Sequence, residues 1–148
     1  MMKTLEQMRA ENAWLIVKEL INKAEQDGEK QKDQNDLYAS YVSSLPANII
    51  TIGIGQSLAS LLAASQGRKD DPHYLLYKHT QDWLCRDDTA APYCTTKDHK
   101  KNLMDAIISS NQESYKLAQA ETLAWLEWLK KFAVAYLKKP KNDREERG

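Results

Sequence analysis

Four residues in the middle of the chain are of the types that hold transition metals: His79, Cys85, Cys94 and His99. Zinc takes four such ligands, and structural sites bring them in close pairs such as Cys-x-x-Cys. Here five, eight and four residues separate successive members and no knuckle is present, so the pattern points to no metal site. Cys85 and Cys94 bracket the segment from Arg86 to Tyr93. They could close that loop as a disulfide, or stand as two ordinary thiols, one of them under a helix. A hydrolytic site needs a nucleophile with a base, or a pair of convergent carboxylates. His73, His79 and His99 have no motif around them, and Asp70-Asp71 and Asp87-Asp88 are adjacent pairs that read as solvated turn residues. The residues suggest no catalytic group and no cofactor.

The cations are a better lead. From Lys97 to Lys141 nine lysines stand against five acidic residues, a local excess of four. Lys116, Lys130, Lys131 and Lys138 fall within about 100° of one another on a helical wheel, opposite the tryptophans. Such a row is a solvated face, with Glu127 and Lys131 placed to pair at i, i+4, or a neighbour for nucleic-acid phosphates, which carry no sequence information. Lys18, Lys23, Lys78 and Arg86 are secondary candidates on other helices. Over the whole chain twenty-one basic residues balance twenty-one acidic ones. No global field draws the protein to a polyanion, which disfavours a freestanding nucleic-acid-binding domain.

The elements that must position these residues are helical. Thr4 with Gln7 reads as a capping box, followed by Met8, Ala13, Trp14, Val17, Leu20, Ile21 and Ala24 at helical spacing. Asp27 to Asp36 reads as a polar hinge, and a second helix is expected over about Asn35 to Ser44. Pro46 should end that helix or open the next, which runs from Ala47 to Ser65. Further helices are expected over Pro72 to Cys85, Asp98 to Ser109 and Gln112 to Lys139, with a loop from Arg86 to Thr96. At 148 residues the chain has the size of one domain. The expected fold is all-α: a compact bundle of five to six helices in residues 1–139, around a central apolar helix at 47–65. Residues 140–148 form a charged tail. The charged first dozen residues do not resemble a signal peptide, and two cysteines are too few for a disulfide scaffold, so a cytoplasmic protein is expected.

Between Asp36 and Arg68 no residue is charged, and the centre of that stretch is LPANIITIGIGQSLASLLAAS, Leu45 to Ser65. A membrane span needs about 20 mostly apolar residues. This segment has the length but carries Asn48, Thr51, Gln56, Ser57, Ser60 and two glycines, without an aromatic belt or a basic flank. A dinucleotide-binding turn would need a third glycine where Leu58 stands, and a P-loop would need a lysine. A buried helix fits better. Ile50, Ile54, Leu58, Leu61 and Leu62 make a large apolar face, and Gly53, Ser57, Ser60 and Ala64 an adjoining small one for close helix approach. No membrane association is expected.

These residues resemble a known family. Tyr41-x-x-x-Leu45-Pro46, then Ile50, Gly53-x-Gly55-Gln56-x-Leu58-Ala59, Tyr74-Leu75-Leu76-Tyr77 and Trp83-Leu84 are similar to the small all-helical subunit of the Cmr complex. That complex is the type III-B CRISPR effector, an RNA-guided machine that targets RNA. The resemblance covers about Leu5 to Lys139, with Leu45, Pro46, Gly53, Gly55, Gln56 and Leu58 as its signature core. Ile52, Ser60, Asp33 and Asp36 depart from the family pattern. The resemblance implies a non-catalytic protein that stacks in a second filament beside larger subunits. Those subunits hold the guide RNA, and the filament helps to shape the channel for the target RNA. Its implied partners are the other subunits, guide and target RNA through phosphate contacts, and further copies of itself. A small helical adaptor without an RNA role is the competing reading.

Overall fold

The structure is a computed structural model that describes residues 2–93 and 102–140. Five helices follow in order: α1 (Leu5–Asp27), α2 (Glu29–Ser65), α3 (Pro72–Leu84), α4 (Leu103–Ser109) and α5 (Gln112–Tyr136). The architecture is all-α, as the spacing of apolar residues predicts. Helix α2 lies at its centre and packs against the other four.

The helix starts follow from local chemistry. At Thr4 both halves of the capping box form: Gln7 N donates to Thr4 Oγ1 at 3.1 Å and Thr4 N to Gln7 Oε1 at 2.9 Å. Asp71, Asn102 and Asn111 cap α3, α4 and α5 by accepting from the amides of His73, Asp105 and Ser114. Each satisfies one of the amides that a helix start leaves without an internal partner.

Helix α2 departs from the expected division in three places. The polar hinge shrinks to Gly28, whose φ of +77° and ψ of −148° turn the chain between α1 and α2. Glu29 to Asp36, expected in the hinge, is already helix. Secondly, Pro46 neither ends nor starts a helix but sits inside α2. Thirdly, the break comes seven residues later, at Gly53, where φ is +85° and ψ +162°. Glycine is needed there because this region is closed to residues with a Cβ.

The break rotates the buried face. Before it, Tyr38, Val42, Leu45 and Ile49 are inside; after it, Ile54, Leu58 and Leu61 are. Ile50, expected on the apolar face, is 72% exposed as a result, and Ile52 is 50% exposed. Val17 and Leu20 from α1, Leu76 and Leu84 from α3, Leu103 from α4, and Trp125, Leu126 and Leu129 from α5 complete the core. Ser60 and Ala64, expected on a close-packed small face, also point to solvent. Only 28% of the most apolar stretch of α2 is buried, so centrality alone does not account for its lack of charge.

Polar groups that are buried reach across helices. Glu121 on α5 accepts from Arg9 Nε at 2.7 Å, Arg9 Nη2 at 2.9 Å and Trp83 Nε1 at 3.2 Å, joining α1, α3 and α5. The paired carboxylate holds the Arg9 guanidinium more firmly protonated than usual, against the opposing effect of its burial. Trp125 Nε1 donates to Asn12 Oδ1 at 2.8 Å, a second tie between α5 and α1.

Candidate nucleic-acid interface

Helix α5 positions the lysines. Its buried stripe, Ala118, Thr122, Trp125, Leu126, Leu129 and Ala133, faces α1 and α2 and turns the opposite side outward. Lys116, Lys130 and Lys131 lie on that outward side and are exposed. Among the described residues none of the three makes an ion pair, and the expected Glu127–Lys131 pair does not form. Glu113 and Glu127 are exposed on the same side without pairing with them, so the three ammonium groups stay available to a phosphate neighbour.

Lys138 leaves this row. It follows the helix cap at Leu137, and its side chain, 21% exposed, donates to Ser40 Oγ and lies 3.9 Å from Asp36. Next to it, Lys139 N donates to Asp36 Oδ1 at 2.8 Å and Lys139 Nζ pairs with Asp33. Asp33 and Asp36, which depart from the family pattern, thus anchor the end of α5 to the start of α2. An open groove of about 410 Å³ beside this junction is lined by Ile21, Lys32, Asn35, Tyr136 and Lys139. Lys32 pairs there with Glu29, so its cations are already matched by carboxylates.

The secondary candidates divide. Lys18 and Lys23 are exposed on α1. Lys78 on α3 is exposed too, but pairs with Asp82 at 3.0 Å. Lys23 and Lys78 both act on His79, whose pKa falls to about 4, first because the ring is desolvated and then through these two cations, against Asp82. The neutral ring is hydrogen-bonded through Nδ1 to Tyr38 Oη at 2.7 Å. Arg86 is a packing residue and not a surface cation. Its guanidinium lies 3.8 Å over the Trp83 ring, Nη1 donates to Trp83 O at 2.8 Å, and its side chain is only 14% exposed. Asp88, held low first by the Ala90 amide and then by Arg86, closes the same turn.

The signature residues have separate tasks. Leu45 and Leu58 are fully in the core. Gly53 permits the break, and Gly55 permits a close approach, since a Cβ there would come within 3.3 Å of Tyr115 Oη. The break frees two amides, and α5 satisfies both: Ile54 N donates to Gln119 Oε1 and Gly55 N to Tyr115 Oη, each at 3.0 Å. Nothing local in the sequence marks Tyr115 and Gln119, a tyrosine and a glutamine four residues apart, as caps for a distant helix. Gln56, which the resemblance places in the signature core, is exposed, because the rotation at Gly53 turns it outward.

Among the described residues no cluster of three or more histidine, cysteine or acidic side chains is placed to hold a metal. Cys94 and His99, and with them the possible disulfide to Cys85, lie outside the described residues. What remains defines a class: a small all-helical protein whose features are outer surfaces, one bearing cations and one uncharged. The family can be given more closely. The model of the CRISPR-associated protein family Cas_Cmr5 matches residues 5–136, and the chain belongs to that family of Cmr subunits.

Proposed function

We propose that the chain is a non-catalytic, cytoplasmic structural subunit of a type III-B CRISPR ribonucleoprotein. In this reading it stacks with other subunits in the minor filament and lines part of the channel for guide and target RNA. The observation that carries the RNA-facing part is the outward row of Lys116, Lys130 and Lys131 on α5, none of which makes an ion pair among the described residues. Family membership in the Cmr subunits supports the assembly part. Sequence information would come from base pairing between guide and target, while this chain supplies shape and positive charge. Residues 1–139 act as one helical unit in this proposal.

The test is a salt titration of single-stranded RNA binding by the isolated protein. Three phosphate contacts release roughly two counterions, so affinity should fall about 20-fold between about 50 and about 200 mM salt. Lys130→Glu with Lys131→Glu should abolish that binding while the circular-dichroism spectrum and melting temperature stay put. Tight binding that ignores salt, or unchanged binding by the double variant, refutes the RNA-facing reading.

A further inference from the structure

Helix α2 has an outer surface whose composition burial does not explain. Fourteen residues between 37 and 67 are exposed and none is charged. Over residues 2–27, by comparison, eight of the fifteen exposed residues are charged. After the break at Gly53 the exposed residues Gln56, Ala59, Ser60 and Ala63 follow at i, i+3, i+4 and i+7, one continuous stripe. Ile50 and Ile52, both largely in solvent, add apolar area before the break.

The hydroxyls of this face are turned away from the outside. Ser44 Oγ donates to Ser40 O at 3.2 Å, Thr51 Oγ1 to Ala47 O at 2.8 Å and Ser60 Oγ to Gln56 O at 2.9 Å. Side chains that bond back onto their own helix leave a smooth surface whose donors need no outside partner. Covering these hydroxyls strands none of them, and only the carboxamides of Asn48, Gln56 and Gln66 need partners on the covering surface, whereas covering a charged face removes ions from water.

We propose that this uncharged face of α2 docks against another protein subunit of the assembly, one that presents an uncharged helical surface. The inference rests on the reading of the chain as an assembly subunit. Charge decides the kind of partner: RNA needs cations, and residues 37–67 hold none. A neutral face matches a neutral face, and depletion of charge is the mark of an interface core. Area decides against a second copy of the chain. A stable pair buries about 800 Å² on each partner, and the large apolar side chains of this face are Leu37, Ile50 and Ile52 alone, among small and carboxamide side chains. The isolated chain therefore stays monomeric, and the face fills where other contacts of the assembly add to it.

Ala59→Arg with Ala63→Arg tests the proposal. Both positions are exposed, so the variant should melt within about 2 °C of the parent. Arginine is chosen because added positive charge does not weaken attraction to RNA. Tagged parent and variant chains are co-expressed with the other effector subunits, purified through the tag, and scored for subunits and RNA. The parent should bring down the subunits, the A59R/A63R variant at least tenfold less of them. Lys130→Glu with Lys131→Glu should keep the subunits and the guide RNA they hold, and retain less target RNA. Parental recovery of subunits by A59R/A63R overturns the docking face while leaving the assembly reading intact. A parent that brings down no subunits at all overturns both. A parent that is a dimer by light scattering, with the variant a monomer, assigns the face to a second copy and overturns the proposal. Flotation of the parent with phosphatidylcholine vesicles overturns it as well.

Discussion

The two long helices, α2 and α5, each bury one side and show the other, but by opposite means. Helix α5, 25 residues long, keeps one buried stripe from Ala118 to Ala133 and turns lysines outward. Helix α2 runs for 37 residues, changes its buried side at Gly53 and shows no charge between Asp36 and Arg68. The dependence between them runs both ways. Tyr115 and Gln119 of α5 hold the break in α2, while Asp33 and Asp36 of α2 hold the end of α5. Charge separates the outer surfaces of the two helices: three lysines and two glutamates are exposed on α5, and no charged residue is exposed on α2 beyond Asp36. Lysines that stay unpaired beside Glu113 and Glu127 among the described residues suit a polyanion, and a face without any charge suits a protein.

The comparison can be broken most forcefully at the anchor of α5. Glu121 is the only acceptor shared by Arg9 and Trp83 among the described hydrogen bonds. Glu121→Ala leaves the Arg9 guanidinium with only the exposed Glu6 as a carboxylate partner and Trp83 Nε1 without its acceptor, and should destabilise by about 3–5 kcal/mol, read as a shift in the urea midpoint. Arg9→Met with Glu121→Leu removes both charges together and should recover most of that loss. If the double variant is as unstable as the single one, the tie acts through packing and not through charge.

Acid attacks the other side of the molecule, where α2 meets α3. His79 has a pKa near 4 in the fold against an ordinary value of 6.5, because burial penalises the charged ring. The unfolded chain therefore takes up the proton first. Stability is full above about pH 6.5 and falls as the pH drops towards 4, by up to about 3 kcal/mol. His79→Gln should flatten the melting temperature over that interval. A parent chain whose melting temperature is level from pH 7 to pH 4.5 contradicts this account.

Within α2 the two helix-breaking residue types are predicted to differ. Gly53→Ala forces a Cβ into a left-handed φ of +85° and to 3.1 Å from Tyr115 Oη. It should destabilise by about 1–3 kcal/mol. Pro46→Ala restores an amide inside a continuous helix and should be neutral or stabilising in the same urea titration. Equal losses at the two sites would mean that the proline, too, shapes the helix.

How far these features could be read in advance depends on the distance of their causes. Thr4 with Gln7, the span of α3 and the long apolar stripe of α5 are local patterns, and all were legible. Pro46 looked like the boundary because proline is the strongest local breaker. The actual break needs Gly53 together with Tyr115 and Gln119, some sixty positions away. Lys116, Lys130 and Lys131 could be placed by wheel geometry alone. Lys138 and Arg86 could not, since their partners Asp36 and Trp83 take them out of the surface only when the chain is folded. The charge-free stretch was visible at once, but a core helix and a docking helix look alike until exposure is known.

The smallest predicted effect tests the break most directly. On an unbroken wheel Ile50 joins Ile54 and Leu58 inside, whereas here it is 72% exposed and its neighbour Ile49 is fully buried. Ile50→Ala should therefore change stability by no more than about 0.5 kcal/mol, within the range of surface substitutions. Ile49→Ala empties core volume and should lose about 2–5 kcal/mol. Adjacent residues of one type, one substitution and one urea titration leave the register of α2 as the only variable. Reversal of the two values would put Ile50 in the core and remove the break at Gly53, and with it the outward turn of the face that begins at Gln56.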